Sequence, residues 1–346
     1  MIRKFCIRIL LVVAPFFAII PVVNYCVDPT NVYHSVEYAD RIVDAMKSGR
    51  NVSNVTELND RIFKRKVAEA NGNSHFEYLV VGSSRVKTIS SDGMGASLLN
   101  LGMNGGNIYD IITSYEICVE NFISFDKIIV GLDYYTLTDN EDSRWEVNSK
   151  YFYDFVGKPA PPSNNNIMSK AAVVNLLSLS YFQKAVSTFL SGRVDLKLTD
   201  ESCNDRLTYH NDGSLCYGID DRQRLQREVD SIALAYPIDG YPVVLDELAG
   251  YLEMLVDKLE DDGKEIYFYF APYHPVYYSR ICKSKTIVEN EHRLYEIAEK
   301  YGIKTIGSFD PNGVGCDSSG FYDATHPRKE VTDSIFRDFF IEESTD

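Results

Sequence analysis

The chain has 346 residues, with 35 Lys and Arg against 50 Asp and Glu and a formal net charge of −15. Apolar residues make up 45% and charged residues 25%, a folded-protein composition that excludes collagenous, coiled-coil and wholly disordered classes. The acidic balance excludes nucleic acid as a partner, because phosphates demand a basic footprint, and seven cysteines are too few to be the main scaffold.

Taken in chain order, Phe5 to Val23 reads FCIRILLVVAPFFAIIPVV, with Arg8 as its one charge. This approaches the roughly 20 apolar residues that a bilayer span requires. Arg3, Lys4 and Arg8 keep the N-terminal end cytoplasmic under the positive-inside rule. The exit sequence VVNYCVDP lacks the small residues of a cleavage site. We therefore expect a retained membrane anchor over residues 1–26 and an extracytoplasmic domain, periplasmic or at the cell surface, over residues 27–346. Export permits disulfides, and Cys203 and Cys216, which bracket a polar, turn-rich loop, are the one candidate pair; unpaired thiols are the alternative.

Amphipathic helices are expected over Ser35 to Met46 and Leu58 to Ala70. Buried strands are expected at Glu77 to Val81, around Asn100-Leu101, at Lys127 to Val130, Glu265 to Ala271 and Lys304 to Ile306. Helices are expected over Asn107 to Ile123, Val288 to Tyr301 and Pro327 to Glu342. Strands alternating with helices predict an α/β fold, a three-layer sandwich with a mainly parallel sheet. The segment at about 134–241 breaks the alternation and reads as an insertion that covers the site or binds a partner. Helices are expected in it over Met168 to Leu190 and Asp220 to Ala235.

In sheets of this class functional groups collect beyond the carboxyl ends of the strands. Four segments lie there. Gly82-Ser83-Ser84-Arg85 offers an exposed Ser at a tight turn. Asn100 to Gly106 offers glycines whose N–H groups can approach a reacting oxygen. Gly131-Leu132-Asp133 offers a carboxylate that orients a group or caps a turn. In Asp323-Ala324-Thr325-His326-Pro327 the carboxylate can reach Nδ1 of the His and leave Nε2 facing a nucleophile. The Pro would open a helix at its first position. His274, in Pro272-Tyr273-His274-Pro275, either binds substrate or forms a rigid polar turn. Arg85 either steadies an anionic substrate or forms a surface salt bridge. No metal-ligand spacing and no phosphate-binding glycine motif occurs, so no metal and no cofactor is expected.

The order of these four segments resembles the SGNH (GDSL-type) hydrolase superfamily. It is most similar to the membrane-anchored branch that accompanies O-acylation of bacterial cell-surface polysaccharides. The resemblance runs from about residue 76 to the end, leaving the insertion unmatched. It implies Ser84 as nucleophile, with Ser83 where the family has Asp, Gly105 as a backbone oxyanion donor, and Asp323 and His326 completing a triad. The family's third block supplies an Asn side chain to the oxyanion hole; here Asp133 stands at that place, and Asn104 or Asn107 would have to supply the donor. The implied function is a serine esterase or O-acyl(acetyl)transferase acting on a cell-envelope glycan. The alternative is a catalytically inactive accessory that binds glycan or docks on a membrane-bound O-acyltransferase.

Overall fold

The computed structural model describes residues 18–139, 142–161, 170–192, 195–204, 206–218, 226–238 and 243–343. The expected anchor over residues 1–26 lies mostly outside them; residues 18–27 are helical. Among the described residues no helix is long and apolar enough to cross a membrane.

Helix α1 (Ser35–Met46), strand β1 (Asn51–Ser53) and helix α2 (Asp60–Ala70) precede the main sheet. Its first half comprises β2 (His75–Val81), β3 (Leu98–Asn100), α3 (Ile108–Glu120) and β4 (Ser124–Gly131). Asn107 starts α3 through a capping box with Asp110. The insertion contributes α4 (Ser149–Phe155), α5 (Lys170–Leu177), α6 (Leu179–Ser191), β5 (Lys197–Thr199), β6 (Thr208–Tyr209), β7 (Leu215–Cys216) and α7 (Gln226–Ala235). The chain then completes the sandwich with α8 (Asp246–Asp261), β8 (Glu265–Phe270), α9 (Pro275–Ile281), α10 (Lys285–Tyr301), β9 (Lys304–Gly307) and α11 (Lys329–Glu343).

The main sheet has the order β3-β2-β4-β8-β9, and every pairing in it is parallel. The carboxyl halves of β2 and β4 and most of β8 read as unbroken apolar runs because both faces are covered there. Leu79, Val81, Ile128, Val130, Phe268 and Phe270 face one core, shared with α2, α3, α8 and α10. Tyr78, Val80, Ile129, Tyr267, Tyr269 and Ile306 face the other, closed by Ile335 and Phe336 of α11. The fold is therefore α/β with helices on both faces of a parallel sheet.

Two expectations are corrected. The single helix expected over Met168 to Leu190 is two helices, because Ser178 breaks the run and caps α6 by accepting from the Tyr181 N–H at 3.2 Å. Pro327 does not open α11; it pairs with Phe321 in an isolated antiparallel bridge, and the helix begins at Lys329. The insertion is joined to the segment that precedes the main sheet. Its strands β5 and β6 flank β1 in a second, antiparallel sheet of order β5-β1-β6-β7.

Cys203 and Cys216 form a disulfide with a Cα–Cα distance of 5.5 Å. The tip of its loop is bonded to the main sheet: the Asn100 N–H donates to the Asp212 carbonyl at 2.8 Å, and the Leu215 N–H to the Lys87 carbonyl at 2.8 Å. Cross-linking a short loop stabilises chiefly by restricting the unfolded chain. Replacing both cysteines with Ser is expected to cost about 2–4 kcal/mol, measured as a fall in the denaturant midpoint.

Candidate active site

Ser84 follows β2 directly, in a single 3-10 turn over Ser84–Val86. Gly82 makes that turn possible: its φ is +144°, and a Cβ there would lie 2.7 Å from the Gly131 carbonyl oxygen of the neighbouring strand. Gly106 is required for a similar reason, since a Cβ would lie 2.5 Å from the Gly82 carbonyl oxygen. The loops after β2, β3 and β4 thus meet within van der Waals range at the carboxyl edge of the sheet.

Ser84 Oγ lies 2.8 Å from His326 Nε2. On the other side of the ring, His326 Nδ1 lies 2.9 Å from Asp323 Oδ2 and 3.0 Å from Oδ1. The backbone N–H groups of Thr325 and His326 donate to Asp323 Oδ1 at 2.8 and 3.0 Å. Partial burial would raise the Asp323 carboxyl, but its hydrogen bond and charge pairing with His326 hold it well below the usual carboxylate range. It is therefore an acceptor for an Nδ1–H, which leaves the Nε2 lone pair toward Ser84. The Tyr322 N–H donates to the His326 carbonyl and the His274 N–H to the Ala324 carbonyl, tying this loop to the end of β8.

A cleft of about 300 Å³ opens over Ser84 and His326. Gly105, Tyr134, Tyr135, Tyr236 and Tyr273 line it, with Asp142, Arg144 and Thr325 also on its walls. Burial pushes the phenols of Tyr135 and Tyr273 up, so both remain neutral O–H donors. Arg144 lies beside Gly105 and forms an ion pair with Asp142, Nε to Oδ1 at 2.9 Å. The sequence reading missed Asp142, Arg144 and Tyr236, since nothing in their local pattern ties them to Ser84.

Gly105 has a φ of +61° and faces this cleft. Among the described residues neither its N–H nor that of Ser84 has a protein hydrogen-bond partner. The peptide that carries the Gly105 N–H is clamped from behind. Arg61 NH1 donates to the Asn104 carbonyl at 3.3 Å, and Arg61 is itself held by Asp110 at 2.9 and 2.6 Å. In a trans peptide the N–H points opposite to the C=O, so Arg61 fixes the direction of the Gly105 donor.

The remaining sequence candidates are placed differently. Asp133 is buried and receives an ion pair from Arg85 NH1, so it is not a free carboxylate aimed at a reacting oxygen. Arg85 is 3% exposed, so its ion pair is buried, which corrects a surface salt bridge; Arg85 also lines the cleft beside Ser84. Its other contacts are the Ala271 carbonyl and the face of Tyr273, 3.5 Å from the ring centroid. Burial works against its charge, yet Tyr273 and Asp133 raise its pKa and keep it protonated. Asn104 has its amide oxygen bonded to Lys87 Nζ at 3.2 Å, and Asn107 accepts from the Asp110 N–H as the cap of α3. His274 is wholly buried; its Nδ1 accepts from the Val276 N–H at 3.2 Å and caps α9, which corrects a substrate-binding role.

Behind the glycine loop sits a charged cluster the sequence hides. Lys87 Nζ contacts both carboxylate oxygens of Asp60, at 3.2 and 3.0 Å, while Asp60 Oδ2 accepts from the Asn104 N–H at 2.8 Å. Lys64 Nζ donates to the carbonyls of Asn100 and Gly213 at 2.9 and 2.5 Å. Burial first, then the neighbouring Lys87, brings the Lys64 amine down to about 7. An unfolded Lys titrates near ~10.4, so between these values the unfolded chain binds more protons and stability rises with pH. The denaturant midpoint is expected to climb from pH 7 to pH 9.5 by more in the native protein than in Lys64→Met.

Among the described residues no group of His, Cys, Asp and Glu is placed to hold a metal ion. No protein-family model matches the chain, and no curated protein matches it significantly.

Proposed function

We propose that the chain is an SGNH-like serine esterase or O-acyltransferase that acts on an acylated cell-envelope glycan and is held at the membrane by its N-terminal segment. The single observation that carries this reading is the continuous relay Ser84–His326–Asp323, at 2.8 and 2.9 Å, opening into a cleft.

In this mechanism His326 takes the Ser84 proton as Oγ attacks the ester carbonyl. The N–H groups of Ser84 and Gly105 receive the developing oxyanion. His326 then protonates the departing alcohol, leaving an acyl-enzyme. Water, or a sugar hydroxyl activated by the same imidazole, releases the acyl group. Asp323 remains ionised throughout and stabilises the imidazolium. The tyrosines around the cleft suit sugar rings, since an aromatic face packs against C–H groups while the phenol hydrogen-bonds hydroxyls. The Arg85 pair neutralises the Asp133 carboxylate, which removes the main electrostatic objection to an oxyanion beside it.

The test is incubation of the protein with a fluorophosphonate probe and a chromogenic acetyl ester. Covalent labelling at Ser84 and ester turnover are expected; absence of both, with an acetylated glycan likewise untouched, sinks the enzymatic reading in favour of the accessory one. Asp323→Asn is expected to lower kcat by about 10³- to 10⁴-fold, because the wrong tautomer places a proton between His326 and Ser84. Steady-state kinetics on the same ester checks it.

A further inference from the structure

The helix pair α5–α6 carries an apolar surface that the catalytic cleft does not use. Val173, Val174 and Leu177 of α5 recur at helical spacing on one face, and Leu179 begins α6; Val174 is 59% and Leu177 64% exposed. Helix 18–27 is fixed to this same pair. Asn24 is buried, and its Nδ2 lies 3.0 Å from the carbonyl oxygens of Asn175, Leu176 and Ser178. One turn later Asp28 accepts from the N–H groups of Val32, Tyr33 and His34, each at 2.8 Å, and from the Tyr181 hydroxyl at 2.7 Å. No flexible linker therefore separates the end of the apolar N-terminal segment from the domain. Ile19 and Val22 continue the exposed apolar surface onto helix 18–27.

Charge points to the same occupant. In a chain of net charge −15, residues 155–194 contain no Asp or Glu and carry Lys158, Lys170, Lys184 and Arg193. Residues 1–27 likewise contain no acid. Neither of the two stretches that meet at Asn24 carries a charge that anionic headgroups would repel.

We propose that the α5–α6 face is a membrane seat. With the chain anchored through residues 1–26, Val173, Val174, Leu177 and Leu179 enter the boundary between headgroups and acyl chains. The rigid Asn24 and Asp28 junctions then set the orientation of the cleft above the bilayer. This rests on the anchor reading of residues 1–26.

The full chain, reconstituted in vesicles of phosphatidylcholine and phosphatidylglycerol, tests it with single tryptophan insertions. Trp145 is the one native Trp and supplies the baseline. Leu177→Trp and Val174→Trp are each expected to lose about half or more of the added fluorescence when the lipids are brominated about 5–10 Å below the headgroup boundary. Ile341→Trp, on α11 across the sheet, is expected to keep it. Phe16→Trp reports on the anchor itself. Quenching at Phe16→Trp but at neither α5 position overturns the seat and leaves the anchor standing. Loss of quenching at all positions overturns both. Equal quenching at Ile341→Trp overturns the assignment of one face. Shielding of Leu177→Trp from aqueous acrylamide without bromine quenching overturns the lipid occupant in favour of a protein, whether a second copy or a membrane acyltransferase.

Discussion

Replacing Ser84 with Ala is expected to lower kcat on an acetyl ester by about 10⁴- to 10⁶-fold, equivalent to about 5–8 kcal/mol of barrier. KM is expected to change little. In the proposed mechanism the Oγ makes the covalent bond, whereas the tyrosine walls of the cleft would supply binding to ground and transition states alike. The residual rate is that of a cleft still holding the Ser84 and Gly105 backbone donors. Combining Ser84→Ala with His326→Ala is expected to cost hardly more than either change alone, because residues of a relay act as a unit. The adjacent serine is a built-in control. Ser83 is buried and its Oγ accepts from the Arg85 N–H at 3.2 Å, so Ser83→Ala is expected to retain fluorophosphonate labelling. Labelling that survives Ser84→Ala and vanishes in Ser83→Ala would reverse the assignment.

Arg85→Met is expected to destabilise the fold by about 3–5 kcal/mol, seen in chemical denaturation. Arg85 and Asp133 are each almost fully excluded from solvent, so removing the cation leaves a buried carboxylate without its counter-charge. The variant also strips a cation from the faces of Tyr273 and Phe309 and a donor from the Ala271 carbonyl. Arg85→Met with Asp133→Leu is expected to recover much of the loss, since a well-packed apolar pair is often as stable as a buried ion pair. If the double variant is as unstable as the single one, the cost lies in packing rather than in unpaired charge. Catalysis separates the roles further: the double variant is expected to keep Ser84-dependent turnover, because neither side chain is bonded to Ser84 or His326.

The main sheet was legible because its central strands β2, β4 and β8 carry apolar runs that are buried on both faces and end in a turn. Ser84 was legible because it follows a buried strand directly, and Asp323 and His326 because their Asp-x-x-His spacing is a local pattern with its own chemistry. The second sheet was not, since strands of two or three residues such as β6 and β7 carry no readable period. Helix α2 was expected as an amphipathic helix, and its buried charges were not legible. Its sequence DRIFKRKVAEA looks like a solvated charged surface, yet Asp60, Arg61 and Lys64 are all buried. Each is bought out of water by specific partners that lie far along the chain, and no local window contains both halves of such a pair. His274 shows the converse: a polar residue at a strand end with functional surroundings turned out to be a helix cap.

The pairing of β1 imposes an order on how the molecule is made. Asn51 Nδ2 donates to the Glu201 carbonyl across 150 residues of sequence, and Val52 pairs with Leu198 and Tyr209. A nascent chain emerges from its N-terminus, so β1 has both edges open until the insertion arrives. The same late segment brings the Asp212 carbonyl to Asn100 and the Leu215 N–H to Lys87, one residue beyond the nucleophile turn. Closing such distant contacts is slow because loop entropy must be overcome first. The glycine loop and the nucleophile turn therefore reach their final support only after β5 to β7 have docked and Cys203 has found Cys216. A chain interrupted before residue 216 would carry Ser84 but lack the strands and bonds that complete its surroundings.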